Sequence, residues 1–242
     1  MFAENKMQNR VLVFAAHPDD EVFGCGGTIA YHRSVGDPVG VCYLSEGVSS
    51  RYDLDKFNDP PSWRQDLIDR ENMARQAASI LDFEIIDFLR LPNLRAEDLP
   101  LLDIVKQVMP ILEAYQPRTV YVHFPGDLNT DHTVTFNAVY TALRPSNWHQ
   151  VKQILCYEVV SSTEWASNIL PPRFNPDTYI DIEEFFELKM KSINAYEVEM
   201  RPAPHPRSPE LISALATLRG AEVGINMAEA LSSVRHIINS EC

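Results

Sequence analysis

Apolar and polar positions divide the chain into alternating segments of two kinds. The first kind is short, continuous and apolar. Val11-Leu12-Val13-Phe14-Ala15-Ala16 is the clearest case, and residues 10–16 read as a strand buried on both faces. Residues 39–45, 84–89, 118–124 and 152–159 repeat the type, with β-branched and aromatic residues in each. The second kind is longer and places apolar residues at helical spacing. It covers 25–35, closed by Gly36, and 63–81, opened by the capping-box pair Ser62 and Gln65. It also covers 99–115, which Pro110 should kink or split, and 132–144, capped by Asp131. A long polar loop, 46–61, ends in Pro60-Pro61.

This alternation predicts an α/β fold, a Rossmann-like sandwich with a mostly parallel sheet, helices on both faces and right-handed crossovers. The last third is less regular. It carries a strand near 177–182, a helix over 183–198, a proline-rich loop over 201–209, and a helix begun by Ser208-Pro209. We read residues 1–242 as one domain, with an α/β core over 1–160 and a lid and sheet extension over 161–242.

Composition narrows the partners. A length of 242 residues suits one sizeable core. The net charge of -13 denies the chain the basic face of a general nucleic-acid binder, although one cleft can still be locally basic. No segment approaches the roughly 20 apolar residues that span a bilayer, so no membrane insertion is expected. Residues Met1 to Lys6 lack the apolar core of a signal peptide. Cys25, Cys42, Cys156 and Cys242 form no Cys-x-x-Cys pair. A cytoplasmic location without disulfides is the expectation.

In such sheets ligands bind beyond the carboxyl ends of the strands. Two loops there carry candidate chemistry. In His17-Pro18-Asp19-Asp20-Glu21, the pair His17 and Asp20 can turn toward one divalent ion, while Asp19 points elsewhere and is free to take a proton from water. Catalytic zinc sites use three protein ligands of this kind plus water. The second loop, Asp127-Leu128-Asn129-Thr130-Asp131-His132, offers His132 as the third ligand, with His123 in the preceding strand as its rival. Asp131 can orient His132 or its neighbours. The mixed donor set also admits Fe(II), Co(II) or Mn(II). Gly24-Cys25-Gly26-Gly27 reads as close helix–sheet packing, since Asp19, Asp20 and Glu21 would repel a phosphate cradled there. Trp165 reads as a core residue, and Tyr196 and Phe185 as packing on a helix face.

The segment Ala16-His17-Pro18-Asp19-Asp20-Glu21, followed by Gly24-Cys25-Gly26-Gly27-Thr28-Ile29-Ala30, resembles the LmbE-like (PIG-L) family of zinc-dependent N-acetylglucosaminyl deacetylases. The similarity continues in Leu44 to Arg51, Asp127 to His132, Pro204 to Ser208 and Arg219 to Gly224. It implies one zinc ion per chain on His17, Asp20 and His132, with Asp19 as general base. It also implies an N-acyl amino sugar, or its conjugate, as substrate. Several relatives carry His-Pro-Asp-His in the second motif, whereas this chain has Asn129 at the first histidine. An amide donates a hydrogen bond but carries no charge. Asn129 or His205 is therefore expected to stabilise the oxyanion, and Asp19 or His205 to protonate the leaving amine. Arg51 and Arg70 are the candidate substrate contacts. The expected function is removal of the N-acetyl group from an amino-sugar derivative by zinc-activated water. Amidase action on a thiol-conjugated amino sugar, and a non-catalytic metal-containing sugar-binding protein, are the alternatives. An exposed lid and sheet edge suit a homo-oligomer.

Overall fold

Every residue of the first apolar run is buried, and Val11–Ala15 forms β1 at the centre of a seven-stranded sheet. The computed structural model describes residues 9–146, 148–167, 169 and 172–238. After β1 come α1 (Asp20–Ser34), β2 (Val39–Ser45), a one-turn α2 (Leu54–Phe57), α3 (Arg64–Leu81) and β3 (Glu84–Leu91). Then follow α4 (Leu101–Tyr115), β4 (Thr119–His123), α5 (Thr130–Ala142) and β5 (Gln153–Tyr157). The chain closes with β6 (Thr178–Asp181), α6 (Phe186–Asn194), α7 (Pro209–Ala221) and β7 (Ala228–His236).

The strands lie in the order β3-β2-β1-β4-β5-β7-β6. The first five pair in parallel, and β7 runs antiparallel to both β5 and β6. Alternate residues of β1 feed two cores. Val11, Val13 and Ala15 pack with α1, α3, α6 and α7, while Leu12 and Phe14 pack with α4 and α5. The chain leaves β1 toward β2 on one side and returns through β4 on the other. The crevice outside the carboxyl ends of β1 and β4 is thus the topological switch point, where doubly wound sheets bind ligands.

Several local expectations change. Helix α1 begins at Asp20, earlier than the sequence suggests, and breaks at Cys25 (φ -142°, ψ 28°). The N–H groups of Gly27 and Thr28, exposed by that break, donate to the buried Glu229 carboxylate at 2.9 and 2.6 Å, and Lys189 Nζ neutralises the same carboxylate at 2.6 Å. The glycines serve packing, as expected. A Cβ at Gly24 would collide with the Tyr157 ring, and one at Gly27 with Ile182. The Ser62–Gln65 box does not form. Pro60–Trp63 makes a 3₁₀ turn that runs straight into α3, and Ser62 Oγ donates instead to Asp59. Pro110 sits inside an unbroken α4 because it lies on the exposed face, where water can take the carbonyl it leaves free. Asn129, not Asp131, caps α5, accepting the Asp131 N–H at 2.9 Å. The predicted helix over 183–198 is shorter, with 3₁₀ turns at Glu183–Phe185 and Glu197–Glu199 flanking α6. The long strand β7 has no counterpart among the elements expected from the sequence. Ser208 caps α7 by accepting the Leu211 N–H at 3.3 Å, as its sequence predicts. Among the described residues, no helix is long and apolar enough to cross a membrane.

Candidate metal centre and active site

The loop after β1 and the first turn of α5 bring His17, Asp20 and His132 together, with one donor atom of each within 4.8 Å of the others. Asp20 is the hub. Its Oδ2 accepts the His17 backbone N–H at 2.8 Å and lies 3.2 Å from His17 Nδ1 and 3.3 Å from His132 Nε2. All three side chains are buried or nearly so. Burial opposes charge on every one, but mutual attraction wins. His132 and His17 hold the Asp20 carboxyl well below the usual range. Against the same burial, Asp20 and Asp131 push His17 up to about 10, and Asp20 and Asp127 push His132 up to about 9.

Two imidazoles and a carboxylate at this spacing fit a divalent ion, which zinc would hold at about 2.0–2.2 Å from each donor. The protons that the raised pKa values place on the rings are the ones such an ion displaces. His123, the rival ligand, is otherwise engaged. Its Nε2 lies 3.4 Å from Asp20, but that lone pair accepts the Ala16 N–H at 2.8 Å. Burial and the neighbouring His132 push its pKa down to about 4. It therefore braces β1 against β4 as a neutral ring.

Asp131 serves a neighbour of His132, the second of the two alternatives expected for it. Asp131 does not reach His132; it meets His17 Nε2 at 2.9 Å and accepts the Leu94 N–H at 2.8 Å. The carboxylate beside His132 Nδ1 is Asp127, at 3.0 Å, itself fixed by the Thr163 hydroxyl at 2.8 Å and by Ser162. Glu46 ties the loops after β2 and β3 together by accepting the N–H groups of Val48, Ser49 and Asn93 at 2.7, 2.9 and 3.0 Å.

Asp19 faces away from this cluster, into a cavity of about 150 Å³ also lined by His17, Arg51, Arg70, Asn129, Glu199 and Arg207. Its Oδ2 accepts from Arg207 Nη1 at 3.1 Å and lies 3.5 Å from Arg70. Burial raises the Asp19 pKa, and the two guanidinium groups oppose that rise. Glu199 receives three arginines, Arg51 at 2.6 Å, Arg207 at 3.0 Å and Arg70. Burial opposes ionisation there too, yet Arg70 and Arg51 bring its carboxyl down to about 2. Of the two arginines singled out in the sequence, Arg51 is half-exposed at the cavity wall. Arg70 is buried and also donates to the Pro18 carbonyl at 3.1 Å, which holds the first loop in place.

The structure does not bring His205 to the cavity wall. Its Nδ1 accepts the Arg207 N–H at 3.1 Å, and its ring meets Trp165 edge to face at 5.4 Å. Arg207, two residues on, is the cation that reaches Asp19. Trp165 is half-exposed, which corrects the core assignment. Tyr196 packs in the core as expected, but its hydroxyl donates to Glu21 Oε1 at 2.7 Å. Sequence reasoning missed Asp127, Glu199 and Arg207. Asp127 and Arg207 lie within motifs that carry the family resemblance, so their segments were visible; the pairing of Asp127 with Thr163 and of Arg207 with Asp19, far apart in the chain, was not.

A mostly parallel sheet whose switch point gathers a buried His/Asp/His cluster, with a separate acid beside it, defines an α/β protein with a side-chain cluster that could hold a metal ion. The chain belongs to the PIG-L family, described as GlcNAc-PI de-N-acetylase, which it matches over residues 12–143. It is 27% identical over 200 residues to the probable N-acetyl-alpha-D-glucosaminyl L-malate deacetylase 2 of Bacillus subtilis (strain 168), covering 80% of this chain and 84% of that one. Its fold is similar to that of the N,N'-diacetylchitobiose deacetylase of Pyrococcus horikoshii, with a TM-score of 0.70, 21% identity and coverage of 95% and 85% of the two chains. It is equally similar to that of GalB, the 4-carboxy-2-hydroxymuconate hydratase of Pseudomonas putida KT2440, with a TM-score of 0.70, 23% identity and coverage of 96% and 99%. Members of this fold thus differ in reaction, and the site must decide the chemistry.

Proposed function

We propose that the protein is a metal-dependent hydrolase that removes the N-acetyl group from an amino-sugar derivative. The observation that carries this reading is the separation of two neighbouring aspartates, Asp20 in the His17/His132 cluster and Asp19 in the open cavity beside it. A binding site alone has no use for the second acid. Membership of a de-N-acetylase family and the relative named for an N-acetylglucosaminyl substrate supply the substrate class.

His17, Asp20 and His132 would hold the ion, with zinc the first choice for two nitrogens and one carboxylate oxygen. Bound there, it supplies Lewis acidity and makes water a nucleophile near neutral pH. Asp19 takes the proton of the attacking water as the amide carbonyl is attacked. Arg207 and Arg70 keep Asp19 turned toward the cavity while it does so. Negative charge then grows on the acyl oxygen. The Asn129 side chain lines the cavity, and its amide N–H is the neutral donor available to that oxygen because its Oδ1 is committed to the Asp131 N–H. Asp19 passes its proton to the departing amine, so one water is consumed and acetate and a free amino sugar leave. Asp127 fixes the His132 ring and Asp131 the His17 ring. Arg51, at the cavity wall, is placed to contact the sugar or its substituent.

The test is a panel of N-acetyl sugars and their conjugates incubated with zinc-loaded protein, reading acetate and primary amine together. Equimolar release of both, abolished by chelation and restored by zinc, is expected. Neither product above the chelated control would overturn the reading. Amine release without acetate would favour amidase action on a different acyl group.

A further inference from the structure

Glu21 is a buried acid that the proposed chemistry leaves unused. It follows the two aspartates of the first loop, but its side chain points into the core and has no solvent exposure. A carboxylate in such a place is costly unless its oxygens are satisfied. One oxygen, Oε2, accepts the backbone N–H of Asp19 at 3.0 Å, and the other, Oε1, accepts the Tyr196 hydroxyl at 2.7 Å. Tyr196 is itself fully buried and comes from the C-terminal third of the chain, just beyond α6.

The backbone at Asp19 explains what this arrangement does. Its φ of 155° with ψ of -25° lies in a region that residues bearing a Cβ rarely occupy. The torsion φ is rotation about the N–Cα bond. Glu21 lies two residues downstream, so its bond back to the Asp19 N–H closes a ring that runs through the Asp19 N–Cα bond and restrains that rotation. Two consecutive carboxylates must part here, Asp20 toward His17 and His132, and Asp19 toward Arg207. The unusual torsion sits at the residue that turns away, and Glu21 holds its N–H.

We propose that Glu21 is a positioning residue: anchored by the Tyr196 hydroxyl, it accepts the Asp19 N–H and holds Asp19 in the strained conformation that keeps its carboxylate on the cavity side. This rests on the reading of Asp19 as the base. Tyr196 thereby links the C-terminal third of the chain to the first loop without touching substrate.

Glu21→Met and Glu21→Gln in the full-length, zinc-loaded protein test the proposal. Methionine fills the space without accepting a hydrogen bond; glutamine keeps a carbonyl for the Asp19 N–H and an amide for the Tyr196 oxygen. E21M is expected to lower kcat by about 100-fold, the scale of a 1 Å misplacement of a reacting group, with KM within about threefold of wild type. Its zinc content should be unchanged. Its crystal structure should show φ of Asp19 relaxed to negative values and the Asp19 carboxylate beyond hydrogen-bond reach of Arg207. E21Q should keep the positive φ and retain kcat to within about fivefold, since its carbonyl still accepts the Asp19 N–H. E21M with wild-type kcat or an unaltered Asp19 torsion would overturn the proposal, as would E21Q falling as far as E21M. Tyr196→Phe removes only the anchoring hydroxyl and serves if E21M does not fold. It should lower kcat at least about threefold, on the same positioning argument, with zinc content unchanged, and wild-type kcat would count against the proposal. A wild-type protein without deacetylase activity would refute the reading of Asp19 as base, while the torsion, read crystallographically, would still answer for Glu21.

Discussion

Two aspartates that are neighbours in sequence have opposite surroundings, and the difference sets the expected effects of mutation. Asp20 is surrounded by imidazoles, whereas the Asp19 carboxylate is held by arginine side chains. Asp19→Asn should bind zinc as wild type does, while kcat falls by roughly 10²–10⁴-fold, the usual worth of a general base. Metal analysis by mass spectrometry beside steady-state kinetics separates the two effects. His132→Ala should instead lose the metal, and activity with it, with zinc per chain after dialysis as the readout. The His17–Asp20 pair was legible in the sequence because both side chains lie within one turn of a short loop. His132 was legible as a candidate, but His123 could be set aside only once its lone pair was seen to accept the Ala16 N–H. The sequence offered His205 as a charge for the oxyanion or as the acid for the leaving amine, and in the structure the side chain of that loop lining the cavity is Arg207. A tight turn there, closed by the His205 N–H on the Pro202 carbonyl at 3.1 Å and the Ser208 N–H on the His205 carbonyl at 2.9 Å, decides which of the two side chains faces inward.

At the scale of elements, the strands followed from their apolar runs, which parallel sheets bury on both faces. The caps were less legible. Ser208 behaves as its position predicts, whereas Ser62 and Asp131 are drawn to other partners by the proline turn before α3 and by His17. Ser208→Ala should cost about 1 kcal/mol of stability, as the loss of an N-cap does, and leave kcat unchanged. Urea titration beside the kinetic assay checks both halves of that expectation. Gly24→Ala should be harsher, on the order of 1–3 kcal/mol, because the added methyl meets the Tyr157 ring and that ring is held by its hydroxyl on the Phe14 carbonyl at 2.9 Å. A thermal melt of the variant reads this loss directly. Strand β7 escaped notice because Ala228-Glu229-Ala230-Leu231 is buried and Ser232 to His236 is not, so neither alternation nor a continuous apolar run marks it.

For the whole molecule, stability should depend on pH through a histidine outside the His17/Asp20/His132 cluster. Burial pushes the pKa of His32 below its ordinary 6.5, while Asp37, at 2.8 Å from its Nδ1, opposes that shift and Tyr121 meets its Nε2 at 2.8 Å. The folded chain therefore holds the ring neutral, and the unfolded chain takes up a proton below pH 6.5. The contribution is fully present above 6.5 and is lost as pH falls below that value toward the lower folded pKa. His32→Gln should be less stable than wild type at pH about 7.5, and the gap should narrow by pH about 5.5. Urea unfolding of both proteins at the two pH values measures the change in the gap, and a constant gap would contradict it.

Glu229 has a consequence for what this frame can accept. In a dinucleotide-binding relative of the architecture, the start of the first crossover helix offers bare amide protons to a pyrophosphate. Here the amides of Gly27 and Thr28, freed at the break inside α1 and not at its start, face a carboxylate delivered from the last strand and balanced by Lys189. The molecule carries its own counter-ion for the amides that the break sets free, which closes them to an outside anion and leaves the start of α1, at the switch point, for other chemistry.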